Sequence, residues 1–172
     1  MSCSTKMESV VSSQQSESRG GKGVKYDAGK PKLSLISPEI WPLLLPTSTS
    51  EKTRDCILAM ATAAHATDAD SVAFHTRQTV IEATKCVGDE QAIRFCCMGL
   101  EYGLVKYTRN NWKQGFEWSR LLDAALRHIV FGVAMGEDID KESGNPHWGH
   151  ALCMLMFLLH CIEEYPELND IY

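Results

Sequence analysis

The stretch Asn145–Glu163, NPHWGHALCMLMFLLHCIE, decides the fold. From Ala151 to Leu159 every side chain is apolar, with no strand-like alternation, so the segment reads as a helix buried on nearly all sides. Asn145 suits the N-cap and Pro146 the first helical position. A helix of this kind sits at the centre of an all-α bundle. His147 and His150 share a face in its first two turns. The positive helix end favours neutral imidazole, the form that binds metal, and buried histidines bonded to carbonyls explain the pair equally well.

Just upstream lies an acidic loop, Glu137-Asp138-Ile139-Asp140-Lys141-Glu142-Ser143-Gly144. Its carboxylates repel unless solvated or bound to a cation. A calcium EF-hand is excluded: Ser143 stands where the turn glycine belongs, and Gly149 stands at the twelfth position. Before the loop, a helix capped by Ser119 and running to about Met135 carries Leu122, Leu126, Ile129 and Val133 as its core stripe. Asp123 falls about 90° from that stripe, and Arg127 follows it at i+4, where a surface ion pair is the plain alternative. His128 points away from Asp123.

Further back, Asn110-Asn111-Trp112 makes a turn, with Trp112 as its anchor or as a surface for a base. The helix before it, capped by Asp89, has Ile93, Cys96 or Cys97, Leu100, Leu104 and Tyr107 as its stripe. Glu101 lies about 80° from the line through Ile93, and Lys106 projects to the other side. Glu101 and Asp123 thus flank consecutive apolar stripes, where antiparallel packing can turn them toward one cleft.

Two earlier helices complete the count, one capped by Ser50 and one from about Asp70 to Gly88. His65 and His75 read as surface histidines, and Trp41 with Leu43, Leu44 and Leu45 as core. Residues 1–23, rich in Ser, Gln, Glu and Gly, read as a disordered tail, and the chain after Pro166 as a frayed end. The expectation is one all-α domain over 24–172, a bundle of four to five helices with short connections.

The 172 residues are 44% apolar, enough for a core, and carry a net charge of −5. That balance argues against direct DNA binding, and it makes a polyanionic substrate dependent on cations. Seven cysteines without CxxC spacing argue against a disulfide framework or zinc knuckle and fit a reducing cytoplasm. No run reaches membrane-spanning length. A central helix apolar all round implies a homo-oligomer, dimer or tetramer.

The motifs KYDAGKP at 25–31, EYGLVKYTRNNWKQG from Glu101, DAALRH from Asp123, GEDIDKESG from Gly136 and HWGHA from His147 resemble those of the phage dATP/dGTP pyrophosphohydrolases called MazZ. Those enzymes are relatives of the all-α MazG nucleotide pyrophosphohydrolases. The resemblance implies metal-assisted hydrolysis of purine deoxynucleoside triphosphates to the monophosphate and pyrophosphate. It further implies a part in 2-aminoadenine DNA synthesis in the host cytoplasm, with Mg2+ or Mn2+ as cofactor. It implies Glu101, Asp123, Arg127 and His128 as catalytic residues. Lys25, Asp27, Lys30, Lys106, Asn111 and Trp112 are implied for substrate, and Glu101, Asp123, Glu137, Asp140, His147 and His150 for metal. The MazG pattern of ExxE then ExxD on successive helices is not kept: Glu137 and Asp140 spell ExxD in a polar loop, and the helix that should carry it opens with His147 and His150. A non-catalytic nucleotide-binding helical protein stays open. An HD-type phosphohydrolase is disfavoured, since no adjacent His-Asp pair occurs.

Overall fold

A computed structural model describes residues 21–172 and the backbone of Ser16–Glu17. Among the described residues six α-helices follow in order: α1 (Trp41–Leu44), α2 (Glu51–Ala64), α3 (Ala69–Val87), α4 (Asp89–Lys106), α5 (Trp118–Arg127) and α6 (His147–Glu164). The strands among the described residues are β1 (Ser16–Glu17) and β2 (Val24–Lys25), an antiparallel ribbon pairing Ser16 with Lys25 and Glu17 with Val24. The all-α reading holds.

Local signals set the helix ends. Ser50 accepts from the Thr53 amide and Asp68 from the Ser71 amide, each satisfying a donor that the first turn leaves unpaired. Gly88, at φ 90°, is the single residue between α3 and α4 and serves as N-cap of α4, with Asp89 already inside the helix. Asp170 caps α5 from the far end of the chain, accepting from both the amide and hydroxyl of Ser119.

α6 packs against α3, α4 and α5, the central position its composition demands. One core cluster joins Trp41, Ile57, Met60, Leu126, Ile129, Trp148, Leu152 and Leu155; another joins Phe116, Trp118, Leu121, Leu122, Leu158 and Cys161. The α4–α6 crossing is close because both helices carry glycine. A Cβ on Gly149 would lie 2.3 Å from the Phe95 carbonyl oxygen, and one on Gly99 would lie 2.8 Å from Cys153 Sγ.

Several expectations are corrected. The helix expected to run to Met135 ends at Arg127, giving way to a π-helical turn, His128–Gly132, and a 3-10 turn, Val133–Met135. On α4 only Ala92 and Gly99 are buried, while the supposed core residues Ile93 and Leu104 face solvent. Leu43 and Leu44 are exposed beside buried Trp41 and Leu45. The C-terminal segment is held by buried Leu168 and by Asp170. Of the expected tail, residues 1–15 and 18–20 lie outside the described residues, whereas Lys22 and Gly23 donate backbone hydrogen bonds to Gln114 and Gly115.

Candidate active site

The site begins with the break in the helix after Arg127. A π-turn adds a residue to the helical register and redirects the side chain at the insertion. Here it brings His128 onto the first turn of α6: its Nδ1 lies 3.0 Å from His147 Nδ1, and its ring stacks on His150 at 4.7 Å between centroids. Gly132 makes the approach possible, since a Cβ there would sit 2.4 Å from the His147 ring.

The acidic loop is fixed beneath these histidines. Asp140 N donates to Asn145 O, His147 N donates to Asp138 O, and Ile139 bridges to Pro146. Asp140 accepts from the amide and hydroxyl of Ser143, at 3.0 and 2.6 Å. The single hydroxyl proton of Ser143 goes to that carboxylate, so its oxygen accepts from His150 Nε2 at 2.7 Å. His150 is therefore the Nε2–H tautomer, with Nδ1 as its basic lone pair. Burial, and then the neighbouring His150 and His147, pushes His128 down to about 3. Burial also lowers His150 despite Asp140. For Asp140 burial opposes ionisation, but the Ser143 hydrogen bonds outweigh it and hold the carboxyl below its usual range.

Beside this cluster runs the segment Lys22–Ser34, tied down at five points beyond the Lys22 and Gly23 backbone bonds. Asn111 pairs with both backbone groups of Val24, at 2.9 and 3.0 Å. Tyr26 stacks on Tyr107 at 5.8 Å. Arg120 grips Asp27 through two hydrogen bonds, 2.9 and 2.7 Å, and also pairs with Glu117. Arg127 donates to the Pro31 carbonyl at 2.8 Å, and Asp123 Oδ1 accepts from the Ser34 amide at 2.7 Å.

This strap places cations beside the histidines. Lys25 Nζ donates to the Met154 thioether at 3.0 Å, a weak acceptor. Burial lowers its amine to about 7, with Asp27 opposing and Arg127, Arg120 and Lys30 adding to the fall. Lys25 also bears electrostatically on His128, Lys30 on Glu142, and Lys106 on Glu142 and His150. Lys106 on α4 pairs with Glu142, which Tyr102 also approaches. Lys25, Lys30, Lys106 and Arg127 thus share one neighbourhood with His128, His147, His150 and Asp140.

Other expected site residues stand elsewhere. Glu101 is exposed on α4, turned about 80–100° from Tyr102 round the helix. Asp123, 4% exposed, holds the strap rather than facing Glu101. Glu137 pairs with Lys141 at 2.8 Å. Asp27 and Asn111 serve the strap, and Trp112 stacks on Phe157 at 5.3 Å as an internal anchor. Among the described residues no group of three or more His, Cys, Asp or Glu side chains is arranged to hold a metal ion. Magnesium asks for converging oxygens, whereas this cluster offers three imidazoles and one carboxylate already engaged by Ser143, so a resident magnesium does not fit it. Sequence reading missed Arg120, Ser143, Tyr26 and Tyr107. Arg120 carried a signal, an arginine one residue ahead of the buried pair Leu121-Leu122.

The family model described as dATP/dGTP diphosphohydrolase, N-terminal, matches residues 75–171, which include α4, α5, the acidic loop and α6. A dATP/dGTP diphosphohydrolase of Salmonella phage PMBT28 is 39% identical over 71 residues, 41% of this chain and 24% of that relative's length. No solved structure matches the chain. With 97 of its 172 residues inside the family model (75 to 171 inclusive), the chain belongs to the dATP/dGTP diphosphohydrolase N-terminal family.

Proposed function

We propose that this protein hydrolyses dATP and dGTP between the α- and β-phosphates, giving the deoxynucleoside monophosphate and pyrophosphate. The observation that carries the reading is the placement of Lys25, Lys30, Lys106 and Arg127 in one neighbourhood with the His128–His147–His150 cluster, in which His128 lies 3.0 Å from His147 and stacks on His150.

Lys25 and Lys30 from the strap, Lys106 from α4 and Arg127 from α5 bind the phosphate chain. A phosphate oxygen gives Lys25 the anionic partner that the Met154 thioether cannot supply, and so restores its full charge. The Tyr26–Tyr107 pair, adjacent in sequence to Lys25 and Lys106, receives the purine. A neutral imidazole of the His128–His147–His150 group takes a proton from water as the water oxygen bonds to phosphorus. The bridging P–O bond breaks, and its electron pair leaves with the departing phosphate group.

Magnesium or manganese enters as part of the substrate, the chelate that nucleoside triphosphates form in solution, and there neutralises spreading phosphate charge. The reaction takes place in the host cytoplasm. In a phage with 2-aminoadenine DNA it supplies dGMP and lowers dATP. No helix of the described residues is long and apolar enough to cross a membrane.

The test is incubation with each nucleotide plus Mg2+ or Mn2+, followed by identification of both products. Monophosphate with equimolar pyrophosphate is expected. Nucleoside plus triphosphate would replace this reading with HD-type chemistry, and binding without turnover under every metal would replace it with a nucleotide-binding protein.

A further inference from the structure

The glycine-lined crossing of α4 and α6 holds two thiols. Cys96 Sγ and Cys153 Sγ lie 4.0 Å apart, although 57 residues separate them in sequence. Cys153 is buried, and its thiol donates to the Cys96 carbonyl at 3.3 Å. Glycine at position 99 leaves the room its sulfur occupies, since a Cβ there would lie 2.8 Å from it. Native packing therefore holds one sulfur against the other. Cys96 is half-buried, so a small solute can reach it. Its neighbour Cys97 is exposed, but a step of about 100° round α4 turns it away from Cys153.

We infer that Cys96 and Cys153 form a peroxide-sensitive modification site, at which a hydroperoxide joins them in a disulfide between α4 and α6 and a thiol reductant parts them again. With hydrogen peroxide, the Cys96 thiolate attacks one oxygen. The S–O bond forms as the O–O bond breaks, and the departing hydroxide takes up a proton to leave as water. Cys153 gives up its proton, and its sulfur attacks that of Cys96. The S–S bond forms, the S–O bond breaks, and a second water leaves. Two thiols have then lost two electrons and two protons to one peroxide. The sulfurs must close from 4.0 Å to about 2.0 Å. Cys96 is the attacking group: the Cys153 hydrogen bond draws its thiol down to about 7 against its burial, and the same contact pushes Cys153 up. Burial raises Cys56, Cys86 and Cys161, which makes them poor nucleophiles. The link lies about one turn of α6 beyond His150, whose ring meets Tyr102 of α4 at 5.7 Å. It thus ties together the two helices that meet beside the histidine cluster. Transient pairs of this kind are the disulfides of reducing compartments.

The test is treatment of the reduced full chain with hydrogen peroxide, followed by peptide mass mapping without reductant. A Cys96–Cys153 peptide is expected from protein that still migrates at 19.2 kDa, and dithiothreitol should return both thiols. Tm of the oxidised chain should exceed that of the reduced chain by about 5–10 °C, as for a cross-link closing a long loop. Cys153→Ser should leave Cys96 as a sulfenic acid that dimedone traps, whereas Cys97→Ser should cross-link as the wild type does. Cys96 and Cys153 still reduced after Cys97 is oxidised would overturn the inference. So would a cross-link through any other pair, or Cys96 carried to the sulfinic acid without cross-linking. An unchanged or lower Tm would overturn it by showing that native packing does not hold the sulfurs ready to join.

Discussion

Asp27 and Arg120, 93 residues apart in sequence, meet through two parallel hydrogen bonds of 2.9 and 2.7 Å, with side chains only 11% and 15% exposed. The planar guanidinium fork matches a carboxylate in this way, which a lysine cannot do. The pair fixes the strap that carries Lys25 and Lys30 onto the helix that carries Arg127.

Arg120→Lys should accordingly lower unfolding stability by about 1–3 kcal/mol, as expected when a partly buried bidentate pair is broken. It should also raise KM for the nucleotide more than it lowers kcat, because Arg120 positions the phosphate-binding lysines without touching the reacting atoms. Urea denaturation and steady-state kinetics check the two halves.

Asp123 is a strap anchor, which separates two substitutions. Asp123→Ala removes the carboxylate that accepts from the buried Ser34 amide and should destabilise by about 1–3 kcal/mol. Asp123→Asn keeps an acceptor oxygen and should lose less than half of that. Equal losses in thermal denaturation would place the role of Asp123 in its charge.

The histidine cluster makes stability depend on pH. His128 titrates at about 3 in the fold against about 6.5 in the unfolded chain, so between these values the unfolded state binds more protons. This contribution is fully present above pH 6.5 and is lost as pH falls toward 3. Tm should drop from pH 7 to pH 5, and His128→Gln should flatten that dependence. An unchanged slope in His128→Gln would assign the pH dependence to other groups.

Gly149→Ala tests the α4–α6 contact. The added methyl would lie 2.3 Å from the Phe95 carbonyl oxygen, a backbone atom that cannot rotate aside. The helices must part, and a loss of about 1–3 kcal/mol is expected despite the better helix propensity of alanine. Denaturant midpoints measure it.

The sequence announced the central helix because apolarity on every side has only one use in a small bundle, and α6 runs from His147 to Glu164 as that demands. Of the residues it singled out, the strap motif, Lys106, Arg127, His128 and the His147/His150 pair lie in one neighbourhood of the fold. Helical periodicity misled in two places. It extended α5 through His128, since a π-turn keeps the apolar composition of a helix while changing its register. It assigned Ile93 and Leu104 to the core, since a stripe reads alike whether it faces the core or solvent. The role of Asp123 was illegible because its partner, the Ser34 amide, belongs to a segment 89 residues away.

On the proposed function, this histidine-lined end of the bundle splits a purine deoxynucleoside triphosphate at the α–β bridge. Phosphorus NMR of dGTP with magnesium, followed in parallel with wild type and Lys25→Met, tests it most directly. With wild type, dGMP and pyrophosphate resonances should grow at equal rates, and with Lys25→Met turnover should be at least about 100-fold slower, in keeping with loss of a phosphate-stabilising cation. Orthophosphate or triphosphate as the first product, or full activity in Lys25→Met, would contradict it.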